Sequence, residues 1–127
     1  MSKGIVVPFS RLVLFHSEIG IHRGRRFGFA DVFGIYTLYG LPFAKLASKV
    51  KEAYEGRRVP SHEGWRDQRE ALRWFVEKGR DGIYALDSKP LSVTPSAYQH
   101  YYIVDGHHRG LALYILGESE VRARVRS

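Results

Sequence analysis

The sequence predicts an α+β fold, a small mixed β-sheet packed with helices, as a single domain over residues 1–127. Three observations lead there. A chain of 127 residues holds one hydrophobic core and too little for a second. Short apolar runs rich in β-branched residues alternate with two longer segments of helical period. The last third reads as strand, glycine turn, helix, strand, a compact βαβ-like unit.

Ile5-Val6-Val7 and Leu12-Val13-Leu14-Phe15 read as short strands separated by Pro8 and Ser10. From Gly24 to Gly40, glycines alternate with Phe27, Phe29, Phe33, Tyr36 and Tyr39. That pattern fits a loop folded over the core, or fragments of strand and helix. Phe43, Leu46, Ala47, Val50 and Tyr54 recur at helical spacing and predict a helix from Pro42 to Glu55, stopped by Gly56. A polar loop from Arg57 to Gly64 follows. Leu72, Phe75 and Val76 form the inner face of a second helix from Arg66 to Lys78, with Gly79 as its stop. Trp65, Trp74 and Phe75 read as core residues rather than a ligand platform.

Ile83 to Leu86 and Leu91 to Val93 are extended pieces around Pro90. Tyr98 to Val104 is aromatic and β-branched and predicts a strand. Asp105-Gly106 breaks it, Arg109 to Leu116 is a short helix, and Gly117 ends that helix. Glu120 to Arg126 then alternates with period two, one face apolar and the other basic.

Composition narrows the function. There is no cysteine, hence no disulfide framework, no thiolate zinc site and no cysteine nucleophile. No stretch reaches the roughly 18 apolar residues of a membrane span, and Pro8 breaks the N-terminal apolar run too early for a signal peptide. The chain reads as a cytoplasmic protein with no membrane partner. Lys plus Arg number 20 against 13 acidic residues, a net charge of +7, and arginine supplies 14 of the 20. Arginine's planar fork suits bidentate phosphate contacts, so the expected partners are nucleotides or nucleic acid, DNA or RNA.

Tyr102-Ile103-Val104-Asp105-Gly106-His107-His108-Arg109-Gly110 carries the candidate chemistry. A strand ends, a glycine turns the backbone, and a helix starts at once. Unsatisfied amides and the helix dipole make such a start an anion site. Gly106 and Gly110 admit close approach, Arg109 adds a fork of donors, and His107 or His108 donates to phosphate or acts as acid or base. Asp105 could hold a metal, orient a histidine or take a proton. Two histidines and an arginine in a first turn oppose the dipole, which an anion would offset.

Pro90-Leu91-Ser92-Val93, then Tyr102-Ile103-Val104-Asp105-Gly106-His107-His108-Arg109, then Leu116-Gly117 and a closing strand, resemble the ParB/sulfiredoxin-like superfamily over residues 70–126. The resemblance implies a nucleotide whose phosphates lie on the turn at Gly106, His107, His108, Arg109 and Gly110. Sulfiredoxins carry their catalytic cysteine where His107 stands, so a chain without cysteine cannot share that chemistry. DNA-partitioning members carry a Gly-Glu-Arg-Arg-like turn, from which His107-His108-Arg109 departs. The free-serine kinase branch carries Asp-Gly-His-x-Arg, the nearest match. It implies a nucleoside di- or triphosphate, Mg²⁺, and phosphotransfer or nucleotide hydrolysis with Asp105, His107 and His108 as catalytic candidates. Asp105 would be the metal contact, and Glu18 a candidate base by position.

Other readings remain open. Asp105-Gly106 could be a plain turn. His100, His107, His108 and Asp105 could bind a transition metal, although adjacent histidines point apart. His16, His22 and His62 stand alone. The alternative function is a ParB-like nucleic-acid-binding or nuclease module. Arg23, Arg25 and Arg26 beside Phe27 and Phe29 mix charge with aromatics as single-strand binders do, or form a solvated loop. Arg122, Arg124 and Arg126 share one strand face, where they could track a nucleic-acid backbone or blunt an exposed strand edge.

Overall fold

The structure is a computed structural model that describes residues 3–15, 27–35, 40–82 and 88–126, Lys3 by its backbone alone. Arg23, Arg25, Arg26, Glu18, His16, His22 and the segment 83–86 lie outside the described residues. Five strands form one mixed sheet in the order β1-β5-β3-β4-β2: β1 (Lys3–Pro8), β2 (Leu12–Leu14), β3 (Leu91–Pro95), β4 (Tyr101–Asp105) and β5 (Glu120–Val125). Neighbouring pairs alternate in sense: β1–β5 and β3–β4 are antiparallel, β5–β3 and β4–β2 parallel.

The helices are α1 (Phe29–Phe33), α2 (Phe43–Tyr54), α3 (Trp65–Asp81) and α4 (His107–Ile115). Val7, Leu12, Leu14, Leu91, Val93, Ile103, Val121 and Ala123 turn one face of the sheet inward. There α2 packs on β2 and α4 on β3, while α3 covers α4 and α1. Each fully buried aliphatic or aromatic side chain contributes roughly 1.5–3 kcal/mol. Leu46, Leu72, Phe43 and Phe29 from three helices therefore make one continuous core with the strands.

The mixed α+β class and the last helix agree with expectation. Gly117 stops α4 at φ +91°, with Gly117 N–H donating to the Tyr114 carbonyl and Glu118 N–H to that of Leu113, each at 3.0 Å. That is the double bond of a Schellman end. Gly56 ends α2 with the same pair of bonds.

Four expectations change. Gly79 does not stop the second helix, because it keeps a helical conformation and is buried, and the helix runs on to Asp81. Strand β4 begins three residues later than its aromatic pattern suggests. Tyr98 and Gln99 adopt φ of 56° and 63°, incompatible with a strand, in a tight β3–β4 turn closed by Ser96 N–H on the His100 carbonyl at 2.8 Å. The unit β4-α4-β5 is not a parallel crossover, since β3 lies between β4 and β5 and these two run antiparallel. Trp74 is 56% exposed on the outer side of α3, whereas Trp65 is buried. Within the ambiguous Gly24–Gly40 stretch, residues 29–33 form α1, and Gly28 N–H donates to the Asp31 carboxylate at 3.1 Å.

Candidate functional site

The chain leaves β4 at Asp105, which is exposed and pairs with Ser92 across a β-bulge. Gly106 follows at φ +95° and is the N-cap of α4, with Gly110 N–H donating back to its carbonyl at 2.9 Å. No side chain caps this helix and no acidic residue occupies its first turn. The glycine is required twice over. Its φ lies where side chains are strained, and a β-carbon there would come within 2.6 Å of Leu91 Cδ2 and 2.9 Å of Arg109 Nη2. Arg109 thus folds back over the turn.

Arg109 is half-buried, and among the described residues its one hydrogen bond is long, Nη2 to the Pro90 carbonyl at 3.4 Å. Its Nε is buried and meets no acceptor among the described residues. Among the described residues no carboxylate lies within ion-pair distance of it. A half-buried guanidinium that is neither paired nor fully hydrogen-bonded is costly unless something else satisfies it.

His108 points the other way. It is 4% exposed, stacked on Phe75 with centroids 6.0 Å apart and tilted against Phe29 at 5.5 Å. Its Nε2 lies 2.9 Å from Gln68 Oε1, and Gln68 Nε2 donates to the Phe27 carbonyl. That second bond orients the Gln68 amide, so the imidazole donates from Nε2. His108 is therefore a core residue joining α4 to α3, and its expected contact with phosphate does not hold. Gly110 is likewise accounted for by packing. A β-carbon would meet Phe43 Cζ at 3.2 Å and Leu91 Cδ1 at 3.5 Å, so it faces the core rather than an anion.

His107 remains at the turn, half-buried. His100 does not join it. Its Nδ1 contacts the Tyr98 carbonyl at 3.0 Å and the Ala97 carbonyl at 3.2 Å, at the opposite end of β4. Five strand residues, about 17 Å, separate those ends. The transition-metal reading fails on that distance, and among the described residues no group of three or more His, Asp or Glu could hold a metal. Among the described residues Asp105 is an exposed carboxylate with no such group beside it, which suits an ion whose other ligands come from phosphate oxygens and water.

The arginines of β5 lie elsewhere. Arg122, Arg124 and Arg126 are exposed on the sheet face away from the helices. An open groove of about 740 Å³ runs beside the first two, lined also by Gly4, Val6, Ser88 and Pro90. Since β5 is paired on both sides, by β1 and β3, these arginines guard no strand edge, and that explanation of them is withdrawn. Phe29 is fully buried, so it belongs to the core and not to a base-stacking surface.

Gln68 escaped the sequence reading, although Trp65, Gln68, Leu72 and Val76 follow helical spacing and place it on the buried stripe of α3. Nothing in the sequence marked its partner. No family model, curated protein or solved structure matches the chain. Among the described residues no helix is long and apolar enough to cross a membrane.

Proposed function

We propose that the corner formed by Asp105, Gly106, His107 and Arg109 binds the phosphates of a nucleoside di- or triphosphate. The observation that carries this reading is Arg109: a half-buried guanidinium without a carboxylate partner among the described residues, held over an uncapped helix start. Phosphate oxygens would accept from Arg109 and from the first-turn amides, and would offset the cationic first turn. His107 is the remaining histidine able to meet developing charge. The resemblance of Asp105-Gly106-His107-His108-Arg109 to the free-serine kinase turn of the ParB/sulfiredoxin-like superfamily points the same way. It adds Mg²⁺-dependent phosphotransfer or nucleotide hydrolysis as the reaction class. In that reaction Asp105 would contact a phosphate-held Mg²⁺ or take a proton, and Arg109 would position the transferred group.

Thermal-shift and calorimetric titrations with ATP, ADP, CTP and GTP, each with and without Mg²⁺, test the reading. Binding raises the melting temperature in proportion to ligand excess over Kd. Arg109→Ala is expected to weaken the preferred nucleotide at least about tenfold, the loss of one charge-assisted phosphate contact. Unchanged affinity in that variant would falsify the site.

A further inference from the structure

We propose that the outer face of β5 binds the phosphodiester backbone of single-stranded nucleic acid through Arg122, Arg124 and Arg126. This surface adjoins the corner at Gly106, with Ser92 between Arg124 and Asp105, but the inference does not rest on that corner. Val121 and Ala123 point into the core, so the residues between and beyond them share the outer face, all exposed. Alternate residues on a strand lie about 6.6–6.8 Å apart. Three guanidinium groups at that spacing repel one another, and like charges on one sheet face are destabilising.

Nothing within the described chain offsets them. Among the described residues no ion pair involves Arg122, Arg124 or Arg126. Glu120 opens the same strand and Asp105 lies two strands away, in the row Arg124–Ser92–Asp105, so both border the strip without pairing to it. The strand is interior to the sheet, which removes edge protection as the reason for its charge.

The floor beside the row is left clear. Gly4 faces Arg124 in the β1–β5 register, and no heavy atom lies within 4 Å of where its side chain would project. Val6, facing Arg122, is 56% exposed. An open groove lined in part by Arg122 and Arg124, with Arg126 continuing the row beyond it, fits a linear polyanion. A single row fits one backbone rather than the two of a duplex. Contacts to phosphate alone carry no base preference, and arginine's fork serves each phosphate bidentately.

Fluorescence anisotropy with labelled oligo(dT), oligo(rU) and a duplex, each about 16 nucleotides long, reads the interaction across a salt series. Three neutralised phosphates on a single strand predict a log–log salt slope near about −2. Replacing all three arginines by glutamine should flatten the slope by about 2, and Arg124→Gln alone by about 0.7. The triple variant K45Q/K49Q/R80Q removes the same net charge from exposed helical positions and should keep the slope. Arg→Lys at the three strand positions should also keep it, because counterion release counts charges. Oligo(dT) and oligo(rU) should bind alike.

The proposal is overturned if the wild type binds no oligonucleotide at low salt. Equal slopes in the strand and helix variants would overturn it too, as would tighter binding of the duplex. The single Arg124 variant keeps the test decisive if the triple one fails to fold. Nucleotide thermal shifts should be unchanged in all β5 variants, so this idea and the reading of the Gly106 corner can fail separately.

Discussion

His108 and Arg109 are consecutive residues in the first turn of α4, and the fold treats them in opposite ways. His108 is drawn between Phe29 and Phe75 and hydrogen-bonded to Gln68, a buried polar pair within the core. Arg109, about 100° further round the helix, folds over Gly106 with a buried Nε that meets no acceptor among the described residues. On one side polar chemistry is spent on holding elements together, and on the other it is left over. Buried polar groups in folded proteins are satisfied with few exceptions, so the Arg109 guanidinium is the feature on which the proposed phosphate site rests. Stability should follow the inner side of the turn and ligand affinity the outer side.

The largest expected effect is at the hinge between the two sides. Gly106→Ala forces a side chain into φ +95° and drives a methyl group to 2.6 Å from Leu91 Cδ2, which is 1% exposed and cannot retreat. Strain of roughly 1–3 kcal/mol and overpacking of similar size predict a loss near about 3–4 kcal/mol in urea unfolding. A loss below about 1 kcal/mol would mean that the turn is not held in this conformation.

Next comes the inner side. Gln68→Leu removes the hydrogen bonds that Gln68 makes to the Phe27 carbonyl and to His108 Nε2 inside the core, and should cost about 2–3 kcal/mol. Adding His108→Phe replaces the polar ring that Gln68 had bonded with an apolar one and should restore part of the loss. A double-mutant cycle should then show coupling of about 1 kcal/mol or more, where additivity would show that the pair does not interact.

Much of the fold could be read from spacing alone. Period two located β5 and its two faces, period 3.6 located α2 and most of α3, and glycines with left-handed conformations ended α2 and α4 where expected. The misreadings share a cause, in that local pattern does not report tertiary partners. Gly79 resembles a stop, but it is buried within α3 and stays helical. Tyr98 has a strand former's side chain, yet the β3–β4 connection needs a left-handed residue at that place, and the ring ends 91% exposed. At the site, the strand–glycine–helix corner was legible because backbone geometry follows from residue type there. The division of labour between His108 and Arg109 was not, because it depends on Gln68, forty residues away from His108 in sequence. The arginines of β5 were visible as a charged face, but only the strand order showed that they protect no edge.

The smallest expected change in stability belongs to the outer side, and it sharpens the comparison most. Arg109→Ala removes one long hydrogen bond and one unpaired buried donor, and takes a positive charge away from the positive end of a helix dipole. The first loss is worth under about 1 kcal/mol, and the other two changes favour the variant, so urea unfolding should shift by no more than about 0.5 kcal/mol in either direction. The same variant should lose nucleotide-induced stabilisation. Gln68→Leu should do the reverse, lowering the melting temperature while the remaining folded protein keeps its nucleotide-dependent shift. If instead Arg109→Ala unfolds the protein as readily as Gln68→Leu does, then the guanidinium is a structural strut across Gly106 and Pro90. The corner would then have no spare chemistry to offer a phosphate.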